Sequence, residues 1–425
     1  MVKYLKYKLL EQIPQHPFIE DSIYSARIFE YNDNVILPGS IIYLCERELR
    51  IKYNFALLFL KYLRQIYNFP AKIITPLQYF QTKLKQSFYN KQIDSLKKAY
   101  TKTEFDFEIT DLTTQEIIEK FKPSILIIDF NPIAQRDYLN NVNFKIYEID
   151  SRNIIPARII SQKQEYSAFT LRQKIYQNIY TFITKTTSYS DITTEADLVL
   201  DDFINNKLDY YFEYKNNPNK NVTSNLSKYL NLGFISKLEI VHKIVQSDAS
   251  NLNIESFLEE LIIRQELAEN FCLYSGDFKS IKAAPSWAQS SLEYHKEDIR
   301  TFLYTLEEFE NAQTHEALWN ATQNQLRYTG KIHGYLRMYW AKKILEWTKS
   351  PQQALDFAIY LNDKYALDAP SPNGYVGILW AVAGLHDRAF QDYLITGKIR
   401  RMTYNSLKTK FDTEQYIKRY TSNAI

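Results

Sequence analysis

The sequence predicts an α/β domain with a mostly parallel, Rossmann-like sheet, followed by an all-α domain. Two observations carry this. Short apolar runs alternate with helix-spaced segments over roughly the first 150 residues, the pattern of strands joined by crossover helices. Beyond that point strand signals fade, and nearly everything after residue 224 reads as helix. At 425 residues the chain also exceeds what one core usually serves, so two domains are expected.

Each element follows from its residues. Residues 40–44 form a short apolar run after Pro38-Gly39 and read as a strand. Residues 51–67 carry Leu, Phe and Ala at helical spacing. Residues 71–75 and 105–109 read as strands, with a helix over 113–121. The run SILIIDF at 124–130 is continuously apolar, as a strand buried on both faces must be. A further strand is expected at 144–149, then a helix over 162–184 and a polar connector. NNPNKN at 216–221 is a loop. Helices are expected at 225–232, 236–246, 255–272, 314–328, 333–348, 351–363 and 375–383, with Thr314 and Ser350-Pro351 as caps. The boundaries are 1–160 for the α/β domain, 161–205 for a helical linker and 206–425 for the all-α domain.

Composition narrows the function. Cys45 and Cys272 are the only cysteines and show no pairing pattern, which points to a reducing, cytoplasmic setting. No run approaches the roughly 20 apolar residues of a membrane span. Lys3, Lys6 and Lys8 are followed by no long apolar core, so no secretory signal is expected. The six histidines lack metal-ligand spacing, and no metal is expected. Neither a Walker loop nor G-x-S-x-G occurs, and no G-x-G-x-x-G follows the first strand. Net charge is only +3, yet residues 398–420 hold seven basic side chains against two acidic ones. Lys398, Arg400 and Arg401 lead that segment, which suits either phosphate contact or a solvated helix.

Three groups of residues could carry chemistry. Thr223-Ser224-Asn225-Leu226-Ser227 stacks hydroxyls and an amide where a helix begins, and fits either a phosphate site or a plain N-cap box. Lys331, His333 and Arg337 are polar residues in an otherwise buried-looking helix, and Asn362-Asp363 and Asp368 follow. Trp340 and Trp347 lie seven apart on that helix, with Trp319 on the one before; core packing is the ordinary fate of such a stripe.

These segments resemble the class II cyclobutane-dimer photolyases. The resemblance runs through WNATQNQ, TGKIHGYLRMYWAKKILEW, AIYLNDKYALD, PNGYVGILWAVAGLHDRA and GKIRRMTYNSLKTKFD between residues 319 and 412. It includes NPNKNVTSNLSKYLNLGFIS and EELIIRQELAENFCLY, and more loosely DSRNIIPARIISQKQEYSAFTLRQKI. It implies light-driven repair of pyrimidine dimers in UV-damaged DNA by a monomer that holds FAD in its helical domain, active in the reduced, anionic form. A second, antenna chromophore such as a deazaflavin is left open.

The resemblance also assigns residues. Thr223, Ser224, Asn225, Leu226 and Ser227 would hold the FAD pyrophosphate. Arg337 and Asp368 would pair near the flavin ring, Asn362 would face its N5, and Lys331, His333 and Arg264 would complete the cofactor set. Glu260 would hydrogen-bond the dimer carbonyls as a protonated acid. Met338 and Trp380 would pack on the flipped bases. Trp340 and Trp319 would feed electrons to oxidised flavin, with Trp347 and Tyr304 extending the path. Arg388, Phe390, Lys398, Arg400 and Arg401 would meet DNA.

Departures from the family are specific. Phe390 stands where Trp is usual, Arg264-Gln265-Glu266-Leu267 lacks a second Arg, and Ala369-Pro370-Ser371 replaces Gly-Arg-Asp. Cys45, Glu46, Tyr53 and Phe55 also differ from the family. A cryptochrome-like light sensor and a repair-dead DNA-binding flavoprotein are the alternatives. The chain stops a few residues past the resemblance, without the extension many sensors carry, which favours repair.

Overall fold

The structure, a computed structural model, describes residues 22–183 and 192–421. The N-terminal lysines, residue 184 at the end of the expected 162–184 helix and part of the connector lie outside the described residues.

Six strands form one sheet in the order β1-β6-β5-β2-β3-β4. They are β1 (Ile28–Glu30), β2 (Ile41–Leu44), β3 (Ala71–Pro76), β4 (Asp106–Thr110), β5 (Ile125–Asp129) and β6 (Lys145–Ile149). Only β1 runs antiparallel, along β6. The central pair is in register from Ile41↔Ile125 to Leu44↔Ile128, and every residue of β2 and β5 is buried. Apolar clusters cover both faces, which is why these strands do not alternate.

Around the sheet pack α1 (Phe55–Tyr67), α2 (Lys83–Tyr100) and α3 (Thr114–Phe121). Asn54 caps α1 through the amides of Ala56 and Leu57, so the helix starts four residues later than expected. Helix α2 has no counterpart in the sequence pattern. Its buried face includes Lys85 and Gln92 among Tyr89, Ile93, Leu96, Ala99 and Tyr100, and those two polar residues break the apolar period. Strand β1 is likewise too short to show.

The helical part comprises α4 (Ala168–Phe182), α5 (Glu195–Asn206), α6 (Lys237–Val245), α7 (Asn251–Leu258), α8 (Gln265–Tyr274), α9 (Ser286–Tyr294), α10 (Ala317–Thr329), α11 (Gly334–Glu346), α12 (Pro351–Tyr365), α13 (Pro372–Ala383) and α14 (Thr413–Arg419). A π-helical turn, Glu259–Arg264, joins α7 to α8. Helix α5 occupies what reads as polar connector, held by a Thr194–Asp197 capping box. Thr314 is not the cap of α10. That helix starts at Ala317, and the Thr314 hydroxyl bonds Asn320 Oδ1 at 2.8 Å instead. Ser350 does cap α12, with Pro351 at its first position.

Buried charges join the two parts. Arg47, just after β2, makes two bonds to the Glu269 carboxylate on α8, at 2.8 and 3.0 Å, and Arg152 Nε reaches the same group at 2.9 Å. Glu48 pairs with Arg50 and with Arg152, and Lys237 pairs with Glu266. Two arginines outweigh burial at Glu269 and hold its carboxyl below the usual range.

Candidate active site

Two loops and two helices build a polar cavity, the candidate anion site. Asn225 takes a left-handed backbone (φ 58°), turning the chain just before a short helix, Ser227–Asn231. That helix starts two residues later than the expected 225–232, because the turn at Asn225 precedes it. From the opposite side, Gly330 ends α10 at φ 69°, where an added Cβ would lie 2.5 Å from Leu367. Lys331 then crosses over: its ammonium bonds Thr223 Oγ1 at 3.1 Å and Asn225 Oδ1. Asn225, Ser227, Lys228, Lys331 and Asp368 line the resulting cavity of about 250 Å³. Arg337 on α11 pairs with Asp368 at 3.2 Å. Burial, then the attraction of Asp368 and the repulsion of Arg337, Lys228 and Lys207, set the Lys331 ammonium; the net result lowers its pKa to about 8. Asp368 stays below the usual carboxylate range, because Arg337, the Ser227 hydroxyl and Lys331 outweigh its burial.

Asn362 is 2% exposed and donates to Asp363 Oδ1 at 3.1 Å. Gly374 leaves room for it, since a Cβ there would lie 3.1 Å from Asn362 Nδ2. His333 is buried, and its Nδ1 accepts the Tyr335 amide at the start of α11. Burial and Lys331 push it down to about 4, so it is a neutral imidazole at pH 7. A further residue enters from α2, which the sequence pattern does not show. Lys85 of α2 donates to the Asp363 carbonyl at 2.8 Å, and burial lowers it to about 8 against the pull of Asp363 and Asp368.

These residues fit a dinucleotide flavin. Lys228 and Lys331 line the cavity with the single carboxylate of Asp368, which is itself paired by Arg337, so the cavity carries an excess of positive charge suited to a diphosphate.

On α11, three residues beyond Arg337, an aromatic chain begins. Trp340 stacks on Trp319 with centroids 6.4 Å apart and planes within 7°. Trp319 meets Trp347 at 6.0 Å, and Trp347 meets Tyr304 at 5.8 Å. Trp319 Nε1 donates to the Trp340 carbonyl at 3.0 Å and Trp340 Nε1 to Gln323 Oε1 at 2.9 Å, so both buried indoles are satisfied and their orientation is held. Tyr304 ends the chain near the surface, bonded to His315 Nδ1 at 2.7 Å. All four aromatics expected to share a path are therefore in ring contact.

The remaining site residues lie elsewhere. Glu260 sits on the π-helical turn, half exposed, its carboxylate 3.1 Å from Lys215 Nζ. Arg264, on the same turn, is exposed and pairs with Glu259 at 3.4 Å rather than lining the anion cavity. π-turns gather at functional positions, and no sequence signal marked this one. Met338 and Trp380 are partly buried, with the buried Lys342 ammonium 5.9 Å from the Trp380 ring. The Arg388 and Arg400 guanidinium carbons lie 5.4 and 5.6 Å from the Phe390 ring centre, and that of Arg401 lies 4.7 Å from Tyr393. Lys398 is exposed beside them.

The fold is that of the photolyases and cryptochromes. A class III photolyase from Agrobacterium tumefaciens superposes with TM-score 0.66 at 16% identity, covering 92% of this chain and 88% of its own. A Synechocystis cryptochrome gives 0.67 at 14% identity, covering 91% of this chain and 89% of its own. No family model matches the chain. Sequence goes further than fold. A deoxyribodipyrimidine photo-lyase of Arabidopsis thaliana is 33% identical over 438 residues, 89% of this chain and 88% of that protein. One of Potorous tridactylus is 38% identical over 335 residues, 68% of this chain and 63% of that protein, so the match spans less than two thirds of the marsupial sequence. The chain belongs to the deoxyribodipyrimidine photo-lyase family.

Proposed function

We propose that the protein is a class II photolyase that repairs cyclobutane pyrimidine dimers in UV-damaged DNA, acting as a monomer in a reducing compartment. Residues 206–425 are its cofactor- and DNA-binding part and residues 1–160 its α/β part. Among the described residues no helix is long and apolar enough to cross a membrane. When bound, reduced anionic FAD supplies on illumination the electron that opens the cyclobutane ring, and receives it back. The protein's part is to hold charge and geometry. The 223–227 turn, Lys228 and Lys331 hold the diphosphate. Arg337, fixed by Asp368, places a positive field beside the ring system, and Asn362 offers a neutral amide there. Met338 and Trp380 pack the flipped bases, whose extrusion from the duplex this chemistry requires. Glu260 exchanges Lys215 for the dimer carbonyls. The observation that carries the reading is the placement of Arg337 and Trp340 three residues apart on α11, which joins the anion cavity to the aromatic chain.

An antenna chromophore of deazaflavin type belongs, in this reading, at the carboxyl ends of β2 and β5, where the chain connections leave to opposite sides of the sheet. A cavity of about 310 Å³ lies there, lined by Glu46, Arg47, Gln78, Tyr138, Asn231 and Pro370. Asp129, at the end of β5, shapes its rim by accepting the amides of Glu46, Arg47 and Glu48.

Repair tests the reading. Reduced holoprotein is mixed with a thymine-dimer oligonucleotide under blue or near-UV light, and recovery of thymine absorbance is followed against a dark control. Light-dependent recovery is expected. None, with a bound and reducible flavin, would favour the sensor or repair-dead readings.

A further inference from the structure

The loop that carries Phe390 hangs from one histidine. His295 follows the last residue of α9 and is buried. Its Nδ1 lies 2.6 Å from Asp298 Oδ2, and its Nε2 lies 2.7 Å from Asp392 Oδ1 on the loop. A neutral imidazole has one N–H and cannot donate to two carboxylates; the imidazolium can. The rest of the contact is built to the same end. The Ile395 amide donates to Asp298 Oδ2 at 2.7 Å, and the Lys398 amide to Ser291 Oγ at 2.9 Å. Gly397 closes against this surface at φ 53°, and an added Cβ would lie 2.2 Å from Ser291 Oγ and 3.1 Å from His295 Cδ2. Phe390 itself is pinned to the far end of the loop, its amide donating to the Lys398 carbonyl at 2.9 Å.

We propose that His295, as the imidazolium, is a positioning residue for DNA binding: by joining Asp392 to Asp298 it holds the 390–398 loop in the shape that presents Phe390 between Arg388 and Arg400. This rests on the reading that the loop meets DNA. Burial opposes a charge on His295, but its bonds to Asp298 and Asp392 outweigh burial and raise its pKa above the ordinary value. The C-terminal end of α9 favours the same form. Nearby on its own segment are Tyr294, edge-on at 5.0 Å, Lys296, which pairs with Glu293, and Glu297 and Arg300, which act on each other and, for Arg300, on Asp298. The loop contributes Asp392 and the exposed Lys398. With the histidine raised in the closed loop, the tie is complete at lower pH and is lost as pH rises through that value.

The test uses full-length holoprotein in the dark, with dimer-containing duplex, from about pH 6 to about pH 9, spanning the ordinary histidine range and the region above it. Wild-type affinity is expected to fall on the alkaline side. Asp392→Asn, at a half-exposed position that should leave the fold intact, is expected to weaken binding by about fivefold at the acidic end, flatten the profile and speed amide exchange over residues 391–397. Removing an acidic group beside DNA would by itself tighten binding, so weakening separates a broken tie from a simple charge change. His295→Gln should flatten the profile likewise, and Asp392→Glu should restore it. Wild-type affinity, pH profile and exchange in Asp392→Asn would overturn the proposal. The double variant Arg388→Ala/Arg400→Ala tests the underlying reading, by weaker binding at every pH and a shallower salt dependence. If it changes neither, the DNA reading falls and the proposal falls with it, whatever the exchange shows.

Discussion

Two aromatic assemblies in this protein use the same kind of ring in opposite ways. The Trp340–Trp319–Trp347–Tyr304 chain starts in the core, with Trp319 and Trp340 at 0% and 1% exposure, and each ring is held by neighbouring rings. Phe390 lies on a loop at the surface, flanked by guanidinium groups and held by hydrogen bonds and an ionic tie. The tryptophans of the first are held by ring packing and by hydrogen bonds between neutral groups. The second depends on charges that water and ions screen. The difference suits the tasks proposed for them: a buried electron path needs constant ring separation, whereas a lesion-binding surface must meet phosphates.

Predictions that break this contrast run from large to small. Trp340→Phe should abolish light-driven reduction of oxidised flavin while leaving repair intact once the flavin is reduced chemically; flavin absorbance under illumination and dimer repair are the paired readouts. Lost repair under chemical reduction would remove Trp340 from an electron-feeding role. Trp319→Ala should break the same path and also cost about 3–5 kcal/mol of stability, because a fully buried indole leaves a cavity; denaturant unfolding measures it. Phe390→Ala should leave stability within about 0.5 kcal/mol. It should nonetheless weaken dimer binding by about 1–3 kcal/mol, with Phe390→Trp moving the other way, as fluorescence titration of a labelled duplex would report.

The smallest effect concerns the anion cavity. Lys331 sits at about 8 in the free protein, so its ammonium is present below that pH and lost above it. FAD affinity should therefore decline as pH rises past about 8, accompanied by proton uptake on binding. Lys331→Met should bind more weakly and without that dependence, by flavin fluorescence quenching. A pH-independent wild-type affinity would exclude Lys331 from the diphosphate site.

Local patterns carried much of the site. The stacked hydroxyls at 223–227, the polar residues of α11 and the Trp spacing all lie in short segments, and their types alone marked them. Arg337 and Asp368 form the expected ion pair although 31 residues separate them. Glu260 and Arg264 were less legible, because the π-turn that sets their direction leaves no trace in composition. Arg264 pairs with Glu259 in consequence.

By itself the sequence determined the succession of an α/β part and a helical part, the buried β2 and β5 strands and the residue types of the proposed cofactor site, because hydrophobic period and turn chemistry are local properties. Only the tertiary structure decided which distant groups meet. Lys85 reaches the Asp363 carbonyl from a helix whose polar buried face hid it. Arg47 finds Glu269 across 222 residues, and His295 finds Asp392 across 97. Such contacts depend on how finished elements pack, and burial then sets the charge of each group. Neither leaves a period for the chain to display.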